Sequence, residues 1–207
     1  FPRNNRPPLY LWPAMDPGPL DDARAEELVR ELDRRGIGLV STWAVDRRAD
    51  SLAAALLVAR AQKKLGLQVN INATPLLYSI FDGGPRTAHI DAAGKPFFDD
   101  SFGQAHKIGC PFALAHRLPV IRERVEFYLK AYLKEGVPVD FIWADWEIDG
   151  PLEVNRAHAS ALKCRRCREN IPRIEDFLSF QKAVRDLRSR AQREVYASRV
   201  TETFPAV

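Results

Sequence analysis

Three times along the chain an amphipathic stretch closes on a glycine and gives way to a short apolar run. The first starts at Asp21 or Asp22, either of which can cap a helix. It ends in Asp33-Arg34-Arg35-Gly36 and leads into Ile37-Gly38-Leu39-Val40-Ser41-Thr42-Trp43. The second starts at Asp50 or Ser51, ends in Lys63-Lys64-Leu65-Gly66 and leads into Leu67-Gln68-Val69-Asn70-Ile71-Asn72-Ala73. The third has Pro119 in its first turn, ends in Lys134-Glu135-Gly136 and leads into Val139-Asp140-Phe141-Ile142-Trp143-Ala144-Asp145-Trp146-Glu147. Acidic starts, basic ends and a terminal glycine are helix punctuation. Within the third helix, apolar residues at 121, 125, 128, 129 and 132 form one stripe. A fourth helix carries Phe177, Phe180, Val184, Leu187 and Ala191 at alternating spacings of three and four. With Pro8-Leu9-Tyr10-Leu11-Trp12 as an opening strand, the pattern predicts strand-helix repeated four times.

Alternating strands and helices predict a parallel sheet covered by helices. Gly36 and Gly66 lie 30 residues apart, whereas Gly66 and Gly136 lie 70 apart. The difference leaves roughly 40 extra residues after the third strand, from about 75 to 118, rich in Gly, Pro, Phe, Asp and His. Four such units are half of an eightfold barrel, which typically takes about 250 residues. The sequence stops at Thr203-Phe204-Pro205-Ala206-Val207, where a fifth strand would start. The expected fold class is therefore α/β: the N-terminal half of a (β/α)8 TIM barrel with a long insertion after strand 3. Residues 1–207 would form the first half of one catalytic domain, and the C-terminal half of the barrel would be supplied from beyond them. The competing fold, a small open sheet of Rossmann or flavodoxin type, would want a glycine-rich phosphate loop after the first strand. Trp12-Pro13-Ala14-Met15-Asp16-Pro17-Gly18-Pro19 is not one.

The fourth strand carries the candidate chemistry. Alternation puts Trp143, Asp145 and Glu147 on one face and Ile142, Ala144, Trp146 and Ile148 on the other. Two acids on one face at the carboxyl end of a buried strand are costly unless paired, and in α/β barrels that end bears catalytic residues. Structural ion pairs with nearby Arg or Lys are the plainer reading. Glycoside hydrolysis needs a carboxylic acid to protonate the leaving oxygen and a second group to stabilise or attack the anomeric carbon. Asp145 and Glu147 stand too close together to flank a sugar ring, but they suit substrate-assisted hydrolysis. There the 2-acetamido oxygen of the sugar attacks, Asp145 holds that amide, and Glu147 is the acid. An ionised Asp145 favours a protonated Glu147.

Asp145-Trp146-Glu147 at the end of a fourth strand resembles the D-W-E of the hyaluronidase and chitinase families. The resemblance implies a barrel fold and substrate-assisted retention carried by that Asp and Glu. Against the chitinase pattern D-G-x-D-x-D-x-E, Asp140, Asp145 and Glu147 match, while Phe141 replaces the Gly and Trp143 the middle Asp. The hyaluronidases do not need the middle Asp, and their N-terminal strand is echoed in Leu9 to Pro13. A second barrel group, retaining glycosidases whose fourth strand ends in Asn-Glu, has Trp146 in place of its Asn here. Its nucleophilic Glu would lie beyond Val207. Both groups make Glu147 the proton donor. A non-catalytic barrel that binds carbohydrate or a partner protein through the same face is the reading from another class.

For a carbohydrate substrate, Trp12, Trp43 and Trp143 offer rings on which sugars stack, although bulky residues also simply fill barrel cores. Asn70 and Asn72 share a face of the third strand and suit sugar hydroxyls, or as buried polar groups need partners of their own. His106, in Asp99-Asp100-Ser101-Phe102-Gly103-Gln104-Ala105-His106-Lys107, offers a contact from a lid or is an ordinary surface histidine. The 207 residues are 46% hydrophobic, enough for a core of ordinary size. A net charge of +4, densest at Lys163-Cys164-Arg165-Arg166-Cys167-Arg168, falls short of a nucleic-acid surface. No stretch reaches the roughly 20 apolar residues of a membrane span. The chain begins at Phe1, so its compartment is not readable from a leader, and a polysaccharide-degrading role points to a secreted or periplasmic protein.

Three cysteines leave one unpaired in any disulfide scheme. Cys164 and Cys167 form a C-x-x-C, and Cys110 with His106, His116 or His158 would complete the four ligands of a structural zinc site. A local disulfide and two reduced thiols are the alternatives. The expectation is a structural motif remote from the chemistry, with no metal and no cofactor.

Overall fold

The computed structural model describes residues 9–11, 21–45, 48–73, 84–100, 107–143, 155–192 and 194. The chain divides into two compact units. One comprises Phe1–Leu76, Arg124–Asp145 and Arg199–Val207, and the other Leu77–Glu123 and Trp146–Ser198.

The first unit holds strands β1 (Leu9–Leu11), β2 (Ile37–Thr42), β3 (Asn70–Asn72) and β6 (Phe141–Trp143), paired in parallel in the order β1-β2-β3-β6. Helices α1 (Asp22–Arg34) and α2 (Arg48–Lys64) connect the first three strands, and the part of α3 (Leu114–Lys134) from residue 124 onward precedes β6. Asp21 caps α1 by accepting the Arg24 N–H at 2.9 Å. The glycines behind the helices, Gly36, Gly66 and Gly136, take φ of 78°, 66° and 62°, the left-handed turn that stops a helix at little steric cost. Leu39 packs with Val29 of α1 and with Val58 and Ala61 of α2, so this face of β2 is the one under the helices. Arg60 of α2 bridges Asp22 at 2.8 Å and Glu135 at 3.2 Å, joining the start of α1 to the end of α3. The expected stripe of α3 is buried throughout, at Ile121, Val125, Tyr128, Leu129 and Tyr132.

The half-barrel expectation is overturned. The described residues form a mixed α/β fold with a small parallel sheet and a separate two-stranded antiparallel one, and no barrel. Barrel closure needs tilted strands joined in consistent stagger with no free edge, whereas the described strands pair in the open order β1-β2-β3-β6.

The second unit gathers much of the segment expected as an insertion together with later helices. Strands β4 (His89–Ile90) and β5 (Pro96–Phe97) form an antiparallel hairpin. Asp91 closes its loop, Oδ1 accepting the N–H groups of Ala93 at 2.9 Å and Lys95 at 2.8 Å, while Gly94 turns at φ 83°. Helices α4 (Asn155–Lys163), α5 (Arg165–Asn170) and α6 (Phe177–Gln192) follow. Their core joins Ala157, Ala161, Ile171, Ile174, Phe180 and Val184 to Cys110, Cys164 and Cys167.

Two helix starts differ from expectation. α2 begins at Arg48, because Ser51 does not cap it: its Oγ donates to the Thr42 carbonyl and accepts the Ala44 N–H, both at 3.0 Å. α3 begins at Leu114, so Pro119 lies in its second turn, where only one or two intrahelical donors have yet been required. Among the described residues, no helix is long and apolar enough to cross a membrane.

Candidate functional site

Among the described residues, two places combine polar chemistry with a defined geometry. The first is the carboxyl edge of the parallel sheet, where Thr42, Asn72 and Trp143 stand level in register. Alternation puts these three on the face opposite Leu39, away from the helices. Asn72 Nδ2 lies 3.4 Å from Thr42 Oγ1. The backbone is tied across the same edge, Trp43 N–H donating to the Asn72 carbonyl and Ala73 N–H to the Trp143 carbonyl, each at 2.9 Å. Trp143 is 38% exposed and Phe141, two residues before it on the same face, 48%. One strand-end ring therefore meets solvent beside polar side chains.

The other expected binding residues divide. Trp43 has the opposite parity to Thr42 and turns under the helices. It is wholly buried, stacked on Tyr128 at 4.9 Å and edge-on to Tyr132 at 5.4 Å, which corrects its assignment as a sugar platform. Asn70 is buried, Nδ2 donating to the Gln68 carbonyl at 3.2 Å, and so belongs to the sheet interior. Asp140, the first acid of the chitinase-like pattern, is structural: Oδ2 accepts the Val69 N–H at 2.7 Å and its own N–H donates to the Val69 carbonyl at 3.0 Å. Trp12, His106, Asp145 and Glu147 lie outside the described residues.

The second place is buried in the second unit. Ligand atoms of His89, Cys110, Cys164 and Cys167 all lie within 4.8 Å of one another. Sγ of Cys110 stands 3.7 Å from Sγ of Cys167 and 3.7 Å from Sγ of Cys164. A disulfide would need about 2.05 Å, and all three thiols are free. Three segments converge here. The hairpin supplies His89, whose ring stacks on its cross-strand neighbour Phe97 at 5.1 Å. Cys110 is drawn to that strand by its N–H, which donates to the Thr87 carbonyl at 2.8 Å, and by the bridge between Asp99 and Ile108. Cys164 precedes α5 and Cys167 lies in its first turn, so the C-x-x-C aims both sulfurs the same way. Arg166, between them, donates to the Ala88 carbonyl at 2.8 Å and ties the helix to the hairpin.

The thiols are electrostatically unequal. Contact with Cys110, and then with Cys167, pulls Cys164 well below the usual thiol range. Contact with Cys164 pushes Cys110 up to about 11. Contacts with Cys110 and Cys164, with burial, push Cys167 up too. Of the three sulfurs, Cys164 is the one whose environment most favours the thiolate. Of the histidines weighed as a fourth ligand, His158 is committed elsewhere, 2.6 Å from the Ile174 carbonyl and between Phe177 and Phe180. His116 is exposed. His89 was missed because no fixed spacing links it to the cysteines. The readable signal was its hairpin, Ala88-His89-Ile90 before an Asp-Ala-Ala-Gly turn, which makes an inward histidine plausible only once the strand is recognised.

Compared with protein-family models, with curated proteins and with solved structures, the chain matches none.

Proposed function

We propose that the protein is a glycoside hydrolase acting on a polysaccharide or oligosaccharide, with Glu147 as general acid/base and Asp145 as its partner in substrate-assisted hydrolysis of a 2-acetamido sugar. The observation that carries this reading is the half-exposed Trp143 at the carboxyl edge of a parallel sheet, level with Asn72 and Thr42. Ligands of open α/β sheets bind outside the carboxyl ends of the strands. An aromatic face flanked by an amide and a hydroxyl suits a sugar ring, with its apolar face and peripheral hydroxyls. Asp145 and Glu147 follow Trp143 by two and four residues, the parity that would give them its face if the strand continued. In this reading Trp143 stacks the sugar, Asn72 binds a hydroxyl, and the two acids act on the glycosidic bond.

Kinetics on chitin and hyaluronan oligosaccharides test it. Glu147→Gln should lower kcat by about 10²–10⁴-fold while sparing ligand binding. Asp145→Asn should also lower it heavily, and a thiazoline analogue of the cyclised intermediate should inhibit. Glycan binding without hydrolysis across a broad panel would make the protein a binding module instead. Cleavage of sugars lacking the acetamido group, with a 2-fluoro glycosyl probe labelling a carboxylate, would replace substrate assistance by an enzymatic nucleophile.

A further inference from the structure

We infer that His89, Cys110, Cys164 and Cys167 form a structural zinc site that holds the second unit together. The inference is independent of the glycosidase reading. Four ligands are the full complement of a tetrahedral zinc. An ion with bonds of about 2.3 Å to sulfur keeps its sulfurs about 3.8 Å apart. The two sulfur separations in the structure, 3.7 Å each, already lie close to that value. The four ligand atoms, within 4.8 Å of one another, surround a space suited to one ion. They stand too close together for a cluster of several irons with bridging sulfides.

A second observation comes from the histidine. His89 is only 3% exposed, yet among the described residues its Nδ1 has no hydrogen-bond partner. Buried polar atoms in native proteins nearly always have one, and coordination to a metal would satisfy it. Three thiolates and a neutral imidazole around a divalent ion leave one net negative charge. The basic run beside the ligands suits that charge, with Arg166 hydrogen-bonded to the Ala88 carbonyl next to His89. Thiolates with imidazole select zinc among the common divalent ions.

With all four positions taken by protein, no place remains for water or substrate, so the site is structural rather than catalytic. It would clamp three stretches of chain, Cys110 and Cys167 being 57 residues apart in sequence. This revises the expectation of a metal-free C-x-x-C, and it replaces His106, His116 and His158 with His89 as the fourth ligand.

Elemental analysis of the full chain, purified without added chelator, should find about one zinc per chain. Protein reconstituted with cobalt(II) should show intense tetrahedral d–d bands and thiolate-to-cobalt charge transfer. His89→Cys should retain the cobalt and strengthen the charge transfer through a fourth thiolate, whereas His116→Ala should leave the spectrum unchanged. Cys110→Ser or Cys167→Ser should cut metal retention at least tenfold, and the wild-type and His89→Cys spectra decide the matter even if these variants fold poorly. Absence of stoichiometric metal, iron in place of zinc, weak octahedral cobalt bands, or a spectrum unmoved by His89→Cys would overturn the assignment.

Discussion

The Tyr128 hydroxyl donates to the Ala44 carbonyl at 2.7 Å and accepts the Ala44 N–H at 3.0 Å, while its ring lies on Trp43. One side chain thus fixes the backbone just beyond β2 and covers the aromatic core below it. Tyr128→Phe keeps the stacking and removes both hydrogen bonds. The Ala44 N–H retains Ser51 Oγ, but its carbonyl loses a strong donor. The expected cost is about 1–3 kcal/mol, read as a lower urea midpoint at unchanged slope, and wild-type stability would refute it. Burial raises the Tyr128 pKa above its ordinary value of 10.0, and burial raises that of Tyr132 as well. A raised folded-state value contributes stability that is complete below about pH 10 and fades as pH climbs through the folded value. Tyr128→Phe should therefore also blunt the alkaline loss of stability, leaving the share due to Tyr132. At this scale the sequence was informative about residue type and poor about direction. An aromatic at a strand end was evident at both Trp43 and Trp143, but parity relative to the helices separates a core ring from an exposed one. That parity became known only when Leu39 was seen under α1 and α2.

Helix ends were legible because each depends on a local device. Asp21 accepts a backbone N–H three residues on, and Gly36, Gly66 and Gly136 reach a conformation that other residues resist. Starts that depend on a distant partner were not legible, as when Ser51 was drawn to the Thr42 carbonyl instead of its own helix. The third strand was located but drawn too long, 67–73 against Asn70–Asn72, since a run of apolar residues does not say where its neighbour stops pairing. Asp140 makes the same point within the motif. Its place in a chitinase-like pattern suggested chemistry, while its carboxylate in fact holds the first N–H ahead of β3. Val69 is fully buried, so losing that acceptor leaves a donor in the core. Asp140→Ala should cost about 1–3 kcal/mol and raise hydrogen exchange at Val69 and along β3 before α1. Unaltered exchange at Val69 would show the carboxylate to be dispensable to the sheet.

For the molecule as a whole, periodicity described the strand-helix repeats of the first unit and misjudged what lies between them. The long stretch after β3 looked like a loop on a barrel because its polar and aromatic residues have no regular period. In the structure much of it joins α4, α5 and α6 around a core whose centre is three cysteines and a histidine. A site assembled from residues 89, 110, 164 and 167 leaves a trace in sequence only at the C-x-x-C. The two units also hold separate hydrophobic clusters, one around Val29, Leu39, Val58 and Ala61, the other around the cysteines and Phe180. Removing a clamp from one need not loosen the other. If zinc organises the second unit, stripping it at neutral pH with a strong chelator should speed amide exchange about tenfold or more at residues 87–90, 108–110 and 161–171. Amides of α1 and α2, whose cluster contains no ligand, should keep their protection. Restoring zinc should restore the slow exchange, whereas calcium, which prefers oxygen ligands, should not. Equal loosening of both regions would mean that the clamp stabilises the whole chain as one cooperative body, and no change in either would mean that the sulfurs and His89 hold their arrangement without an ion.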